Sequence, residues 1–381
     1  AIEGGTYPER EMLEKARAAG IVVAVAAGND ATITEGNTYN VKPLKENYDT
    51  ALIANPALDE STIAVASMEN DFKQVNTIIW NGLRGGVNTE IVDVYAPSGT
   101  NDVVMKSLFY VTQEQAIDSS IKNTIKDKFV LLEMLDNKNK MENFKKKFEE
   151  IVQSNPKAIF LGNSVEMGEK LGASLESIGS SANTIIVRVK RSTFDKITKA
   201  NNGYINRVML NVKPISFASA DKGKMSKFSS WGPTPDLRIK PEITAVGGYV
   251  NSTTEDQKYK NMSGTSMASP HIAGASAIVK QYIKEKNIQV ENSSDFIKLL
   301  LMNTAKPVED MSSGVATPYF VRQQGSGLIN LENALKTEVV VRATGTNDDV
   351  ADGKLELKQI DSKKFIAHLS LTNFGDKEKT Y

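Results

Sequence analysis

The fold is decided by the stretch Asn-Met-Ser-Gly-Thr-Ser-Met-Ala-Ser-Pro-His-Ile-Ala-Gly, residues 261–274, in which a polar loop runs into small and apolar residues. Proline is tolerated in the first turn of a helix because its missing N–H would have no partner there, so Pro270 favours a helix start. The residues that follow have the pattern of a buried helix: Ala273, Ala275, Ala277, Ile278 and Val279. We therefore predict that Ser266 stands where a loop becomes a helix.

A serine at this position is suited to act as a nucleophile. Unpaired backbone N–H groups and the positive end of the helix dipole favour a developing negative charge there. A bare Gly-x-Ser-x-Ala pattern would mean little, but the eleven consecutive residues 264–274 resemble the nucleophile motif of the subtilisin-like serine proteases, the subtilases. The resemblance implies that Ser266 is the nucleophile and that Gly264 and Thr265 contact the substrate.

Two continuous apolar runs, residues 21–27 and 61–67, predict buried strands. A helix over residues 8–19 precedes the first run and ends at Gly20, a residue suited to the left-handed position after a helix. Strands that are apolar on both faces need a layer on each side, which is typical of parallel sheets. The predicted fold class is therefore α/β, with a parallel sheet and helices on both faces, as in the subtilisin-like fold that the serine motif implies.

The first predicted strand ends at a Gly-Asn-Asp turn, which taken alone is an ordinary way to end a strand. Beside the serine motif, Ala-Ala-Gly-Asn at residues 26–29 resembles the subtilase strand that ends in the oxyanion-hole asparagine. In that role a side-chain amide N–H meets the oxygen of the tetrahedral intermediate. The resemblance implies that Asn29 acts with the backbone N–H of Ser266. It also implies that Ala26, Ala27 and Gly28 line the pocket for the side chain before the cleaved bond.

The character of the chain changes at residues 93–212, where short strand patterns alternate with charged helices. Strands are predicted at 129–133, 158–161, 184–189 and 208–212, and the lysine run 145–147 is interpreted as a solvated helix face. The segment contains no catalytic cluster. It resembles the protease-associated domain that is inserted in large cell-envelope subtilases, which implies an α+β fold and a role in shaping access to protein substrates.

Residues 213–336 return to the catalytic domain that residues 1–92 begin. Phe-Ser-Ser-Trp-Gly-Pro at 228–233 and Gly-Ser-Gly-Leu-Ile-Asn at 325–330 resemble cell-envelope subtilases of the C5a peptidase and lactocepin type. From residue 337 to 381 a strand alternation replaces the α/β pattern, with Phe365, Leu369 and Leu371 on one face. We interpret this last part as the start of a fibronectin-III-like β-sandwich domain.

Composition narrows the choice of partners. The chain of 381 residues has 46 basic and 46 acidic side chains, so no net charge favours nucleic acid or an anionic membrane. The absence of cysteine excludes disulfides, thiolate metal sites and cysteine nucleophiles. The apolar run at 21–27 is far shorter than the roughly 18 residues of a membrane helix. We expect a protein or peptide substrate, no nucleic-acid partner, no membrane span, no cofactor and no metal.

A serine nucleophile of this kind needs a base and an acidic residue that orients the base. The chain has only two histidines. His271 follows Ser266 too closely in the same predicted helix to turn its ring onto Oγ, and His368 lies on the polar face of a strand in another domain. In subtilases the catalytic Asp and His motifs precede the oxyanion asparagine by more residues than this chain has before Asn29. We therefore expect both on a missing N-terminal segment upstream of Ala1, and we expect this fragment alone to be inert.

These patterns favour a serine endopeptidase that cleaves extracellular proteins and is secreted or wall-attached in a Gram-positive bacterium. A non-catalytic subtilase remnant, acting as a binding or adhesion module, stays open. Upstream motifs like Asp-Thr-Gly and His-Gly-Thr-His would exclude it. An α/β-hydrolase esterase is excluded, because its nucleophile elbow needs a strand immediately before the serine and a histidine late in the same domain.

Overall fold

A computed structural model describes residues 8–31, 53–81, 86–97, 99–134, 138–165, 168, 182–199, 204–255, 259–344, 353–356 and 364–380. The chain forms two compact units. The main unit comprises Ala1–Lys73 and Ala218–Tyr381, and the inserted unit comprises Gln74–Phe217. The inserted unit is wider than the predicted 93–212 at both ends, because strands that flank that range pair within it.

The first elements of the main unit are a helix and two parallel strands: α1 (Pro8–Ala18), β1 (Ala24–Ala26) and β2 (Ile63–Glu69). The helix predicted at 8–19 is confirmed. Gly20 has a φ of 70°, and the N–H groups of Gly20 and Ile21 donate to Arg17 and Ala16 of the last helical turn. Because Ile21 serves to end the helix, β1 is shorter than the predicted strand 21–27, and it is half-buried rather than buried.

The inserted unit is built on a closed barrel with the strand order β3-β4-β8-β7-β6-β5-β9. Strands β5 to β8 run parallel, and the pairs β3–β4, β4–β8 and β5–β9 are antiparallel. The elements of this part of the chain are β3 (Phe72–Asn81), β4 (Val87–Tyr95), β5 (Val103–Val111), α2 (Ser119–Ile125), β6 (Phe129–Glu133), α3 (Lys138–Val152), β7 (Ala158–Gly162), β8 (Ile185–Val189), α4 (Arg191–Lys199) and β9 (Tyr204–Ala218).

Both faces of the barrel strands β6, β7 and β8 are buried. In β6, Phe129 and Leu131 join one apolar cluster, which draws on all seven strands, while Val130 and Leu132 join a second with Ile125 of α2 and residues of α3. A strand that is covered on both sides needs no polar alternation. The strands predicted from continuous apolar runs at 129–133, 158–161 and 184–189 are confirmed for this reason.

The main unit is organised around a parallel sheet with the order β1-β2-β10, where β10 is Ile243–Gly248. Helix α5 (Thr265–Glu285) packs on all three strands. Ile63 and Val65 of β2 pack with α5, whereas Ala64 packs with Ala27 and Ala57 in a separate cluster. The predicted parallel α/β arrangement is confirmed, and the sheet holds the carboxyl end of β1 beside the start of α5.

The remaining elements of the main unit are β11 (Val250–Thr253), β12 (Tyr259–Met262), α6 (Ser293–Thr304), β13 (Glu309–Asp310), β14 (Thr317–Pro318), α7 (Val321–Gln324), α8 (Leu331–Lys336), β15 (Val339–Thr344) and β16 (His368–Asn373). Across the described ranges, no helix combines the length and the apolar character that crossing a membrane requires.

Strands β15 and β16 form an antiparallel pair that belongs to the main unit. Val340 packs into the same cluster as α5 and α6, and the rings of Phe296 and Phe374 meet edge to face with centroids 5.3 Å apart. Asn303 of α6 donates to the carbonyl of Val341 over 3.1 Å. The structure therefore does not separate residues 337–381 from the catalytic part, and the fibronectin-III-like assignment stays a prediction.

A buried ionic cluster fixes the start of β10. The ammonium of Lys240 and the carboxylate of Glu242, both fully buried, lie 2.8 Å apart, and Lys354 approaches the same carboxylate at 3.0 Å. Burial alone would raise the pKa of Glu242, but Lys240, Lys354 and Lys298 outweigh it and lower that pKa to about 2. Burial lowers the pKa of Lys240 to about 8, although the charge of Glu242 opposes this.

Candidate active site

Ser266 is the second residue of helix α5, which begins at Thr265. The preceding Gly264 caps the helix without a side-chain hydrogen bond, and the first turn contains no acidic residue. Pro270 is the sixth residue of the helix rather than part of its first turn, which corrects the sequence prediction. Because proline has no N–H, Pro270 cannot donate to the carbonyl of Ser266 one turn earlier. Helix α5 therefore lacks one backbone hydrogen bond at this position.

The side chain of Ser266 is exposed. Within the described part of the chain, neither its hydroxyl nor its backbone N–H has a hydrogen-bond partner. A backbone N–H in the first turn of a helix has no acceptor inside the helix. The N–H of Ser266 is thus available to an oxygen atom that comes from outside the chain, and the helix dipole favours negative charge there.

Asn29 lies three residues beyond the end of β1 and is joined to the start of α5 by two hydrogen bonds. Its Oδ1 accepts from the N–H of Thr265 over 2.9 Å and from the Oγ1–H of Thr265 over 3.0 Å. The same Oγ1 accepts from the N–H of Gly28 over 3.2 Å. Oδ1 is therefore engaged, and the Nδ2 amino group of Asn29 has no acceptor among the described residues.

The amino group of Asn29 lies close to the nucleophile loop. A Cβ atom built on Gly264 would stand 3.4 Å from Nδ2 of Asn29. Ser266 follows Gly264 by two residues, so Nδ2 of Asn29 and the backbone N–H of Ser266 are two N–H donors near the start of α5 that have no acceptor among the described residues. An oxyanion is stabilised where two such donors reach the same oxygen atom.

The residues predicted to contact substrate lie around the same point. Ala26 and Gly28 are half-buried, while Ala27, Gly264 and Thr265 are buried. The side chain of Thr265 is used to hold Asn29. Sequence reasoning did not find this holding role, because the two residues are 236 positions apart and no local pattern marks the contact.

A pocket of about 390 Å³ opens beside Ser266. The β11–β12 hairpin forms one wall, and the first turns of α5 form the other through Met267 and His271. Lys260 and His271 are the basic residues of its lining, and no carboxylate side chain lines it. The pocket is large enough for one or two amino-acid side chains.

Neither histidine is bonded to Ser266. Nδ1 of His271 lies 3.0 Å from the carbonyl of Met267, one turn earlier in α5, and the ring is exposed. His368 pairs with Thr344 in the β15–β16 ribbon. The chain thus contains a candidate nucleophile and two candidate oxyanion donors, while the described residues supply no base in contact with the hydroxyl.

Comparison with known proteins decides the family. The model of the subtilase family, described as Peptidase_S8, matches residues 3–327. The chain belongs to the subtilase family. The match covers the β1–β2–β10 sheet, the inserted unit and helix α5 of this subtilase, Ser266 included.

Relatives of this subtilase include two large peptidases. The chain is 27% identical over 402 residues to a PII-type proteinase of Lacticaseibacillus paracasei, an alignment that covers 98% of the chain and 20% of the relative. It is 26% identical over 373 residues to C5a peptidase of Streptococcus pyogenes, covering 97% of the chain and 30% of the relative. The chain therefore spans between a fifth and three tenths of the length of these relatives.

Among solved structures, a psychrophilic subtilisin-like protease of an Antarctic Pseudoalteromonas matches 87% of the chain and 67% of its own length, with 15% identity and a TM-score of 0.32. In the described residues of this subtilase, no group of three or more His, Cys, Asp or Glu side chains is arranged to hold a metal ion.

Proposed function

We propose that this chain is the nucleophile-bearing part of a serine endopeptidase. Ser266 is the nucleophile, and the backbone N–H of Ser266 and Nδ2 of Asn29 form the oxyanion hole. The observation that carries the proposal is the double hydrogen bond from Thr265 to Oδ1 of Asn29, which leaves Nδ2 unused beside the start of α5.

The proposed reaction has two steps. Oγ of Ser266 forms a bond to the peptide carbonyl carbon and gives its proton to a base, while the carbonyl oxygen becomes an oxyanion held by the two N–H donors. The C–N bond then breaks, the leaving amine takes the proton from the base, and an acyl-enzyme remains. Water cleaves the acyl-enzyme by the same route in reverse order. Ala26, Ala27 and Gly28 are assigned to the side chain before the cleaved bond, with Gly264 and Thr265 beside the scissile carbonyl.

We place the base and its orienting acid on a segment upstream of Ala1. Two features of the main unit support a further packing partner. Between Ala273 and Ile278 the solvent side of α5 carries small and apolar residues, with Ala273, Gly274 and Ala277 exposed and Ile278 46% exposed, and exposed charged residues begin only at Lys280. Strand β1 has one neighbour among the described strands, so its other edge offers unpaired backbone groups.

The proposal extends to substrate and location. The inserted unit is assigned a role in admitting protein substrates, in line with its resemblance to a protease-associated domain. The substrates are proteins or peptides outside the cell, and the protein is secreted or wall-attached in a Gram-positive bacterium. This part of the proposal rests on the family and on the peptidase names of the relatives.

Two variants of the full-length protein test the assignment. Ser266→Ala should abolish cleavage of a chromogenic peptide. Asn29→Leu should lower kcat by about 10²–10³ with little change in KM, because an oxyanion donor acts in the transition state. If Asn29→Leu raised KM and left kcat unchanged, Asn29 would be a binding or turn residue and the oxyanion assignment would be wrong.

Labelling with a fluorophosphonate probe separates an enzyme from a non-catalytic remnant. The full-length protein should be labelled at Ser266, and residues 1–381 alone should not, since the described residues place no base against the hydroxyl. Addition of the upstream segment in trans should restore labelling. A folded full-length protein that neither cleaves peptides nor takes the label would favour the binding or adhesion module. Strong labelling of residues 1–381 alone would place the base within this chain.

A further inference from the structure

The turn that carries Asn29 is held by backbone hydrogen bonds to several parts of the main unit. The N–H of Ala27 donates to Val65 over 3.0 Å, and the carbonyl of Ala27 accepts from Ala54 over 2.8 Å. Beyond Asn29, the N–H of Ala31 donates to Phe228 over 3.0 Å. These bonds fix the two ends of the turn, and they leave open what sets the direction of the residue at its centre.

Ser230 makes two hydrogen bonds that flank Asn29 in the sequence. Its backbone N–H donates to the carbonyl of Gly28 over 2.9 Å, and its Oγ accepts from the N–H of Asp30 over 3.1 Å. The side chain of Ser230 is fully buried. One residue thus contacts the peptide units on both sides of Asn29, although it lies 200 positions away in sequence.

Ser230 also packs tightly against the turn. Gly28 has a φ of 113°, and a Cβ atom at Gly28 would stand 2.6 Å from Oγ of Ser230 and 3.2 Å from Cβ of Ala54. The turn therefore approaches Ser230 as closely as a glycine allows. A small movement of Ser230 must move Gly28, and with it the peptide that leads into Asn29.

The loop that presents Ser230 is itself fixed to β2. The neighbouring Ser229 accepts at Oγ from the N–H of Ser67 over 3.0 Å, and the hydroxyls of Ser226 and Ser67 lie 2.9 Å apart. These three serines are fully buried. The loop thus connects the end of β2 rigidly to the turn at the end of β1.

We propose that Ser230 is a positioning residue for the oxyanion donor: by bonding the peptide units before and after Asn29, it sets the direction of Nδ2. The inference rests on the proposed function of Asn29 and adds a residue to it. Ser230 does not touch the reacting atoms. A misplacement of about 1 Å in a catalytic group costs on the order of 10²-fold in rate, so loss of one of two fixing bonds should cost about 10-fold in kcat.

The test is a double-mutant cycle in the full-length protein. We expect Ser230→Ala to lower kcat about 10-fold on a short chromogenic peptide, with KM unchanged. In the Asn29→Leu background, Ser230→Ala should have no further effect, because there is no Nδ2 left to position. A peptide aldehyde, which forms a tetrahedral adduct with the serine, should lose the same factor in affinity as kcat loses in rate.

The matched control is Ser229→Ala. Ser229 is equally buried and also accepts from a backbone N–H, but its partner is Ser67 and not the turn at Asn29. Because Ser229→Ala leaves both bonds from Ser230 to the turn in place, it should lower the melting temperature and couple to Asn29→Leu much more weakly than Ser230→Ala does. If Ser230→Ala proved too unstable to purify, Ser230→Cys would replace it in the cycle, since a thiol keeps the shape but accepts a hydrogen bond weakly.

The outcomes are distinct. An equal loss of kcat from the Ser230 variant in both backgrounds, or an unchanged kcat, would overturn the positioning role while the oxyanion assignment stands. If Asn29→Leu itself left kcat unchanged, both the oxyanion assignment and the role of Ser230 would fall. The inference is supported if Ser230→Ala lowers kcat only in the protein that retains Asn29, with KM unchanged.

Discussion

Thr265 holds the side chain of Asn29 through two hydrogen bonds, one from its backbone N–H over 2.9 Å and one from its hydroxyl over 3.0 Å. The residue directly before Ser266 thus fixes the side-chain amide that is proposed to donate to the oxyanion. Any shift of the helix start moves the serine and this amide together, so their relative geometry is set by one short contact and not by the long path through the sheet.

The hydroxyl of Thr265 should contribute to rate and not to binding. Thr265→Val removes the donor to Asn29 and the acceptor of Gly28 while keeping the buried shape. We expect kcat to fall about 10-fold, equivalent to about 1.4 kcal/mol, with KM little changed. Steady-state kinetics of the full-length protein measure this. Thr265→Ser keeps the hydroxyl and should stay within about three-fold of the wild type, and an equal loss in both variants would contradict the proposed hydrogen-bonding role.

His271 should not act as the base of the reaction. Its Nδ1 lies 3.0 Å from the carbonyl of Met267, so the ring is oriented by its own helix. His271→Gln should therefore keep kcat and fluorophosphonate labelling in the full-length protein, with any change limited to KM because the ring lines the pocket beside Ser266. Ser266→Ala is the control that must lose both signals. Loss of labelling in a folded His271→Gln protein would move the base into this chain.

The inserted unit should be removable without loss of chemistry. The carbonyl of Asp71 accepts from the N–H of Ser219 over 2.9 Å. The two segments of the main unit that flank the insertion are therefore hydrogen-bonded to each other where the inserted unit begins and ends. Replacing Gln74–Phe217 by a short Gly-Ser bridge should preserve hydrolysis of a small chromogenic peptide and reduce cleavage of a folded protein substrate. Both rates are measured on the same preparation. If a folded deletion variant lost both, the inserted unit would contribute to the active site itself.

Acid should weaken the main unit through Glu242. Its folded-state pKa of about 2 lies below the ordinary value of 4.5, so its contribution is complete above pH 4.5 and is lost as the pH falls towards 2. The shift corresponds to roughly 3 kcal/mol. Melting temperatures between pH 5 and pH 2 should therefore fall more steeply for the wild type than for the double variant Lys240→Met with Glu242→Gln, which removes the charge pair together. Parallel pH profiles would contradict the assignment.

The sequence predicted those elements of the fold that depend on local residue patterns. Mostly apolar runs located β2 and three of the parallel barrel strands, β6, β7 and β8, because strands with both faces buried need no polar alternation. The serine motif located the start of α5 to within a residue of the nucleophile. The inserted unit begins at Gln74 in the structure, whereas the sequence change was noted at Asp93, because β3 alternates like any partly exposed strand and no local pattern shows which sheet it joins.

The contacts that orient the site could not be predicted in the same way. Thr265 reaches Asn29 across 236 positions and Ser230 reaches Asp30 across 200, and each involves residue types that are common in loops. The burial of Lys240 could not be predicted from the sequence either, because lysine is normally a surface residue. Such pairings follow from the strand order, which single-chain patterns do not encode.

The hydrogen bond between Asp71 and Ser219 also bears on the order in which the chain folds. Strands β2 and β10 are neighbours in the sheet, yet their residues lie far apart in sequence: Ala64 of β2 and Glu242, directly before β10, are hydrogen-bonded across 178 positions. If the barrel forms first, its ends are drawn together and the loop that must close shrinks to a few tens of residues. The entropy cost of closure then falls by about 1.5 kcal/mol. On that order of folding, the barrel brings the two segments of the main unit together before the β1–β2–β10 sheet beside Ser266 is complete.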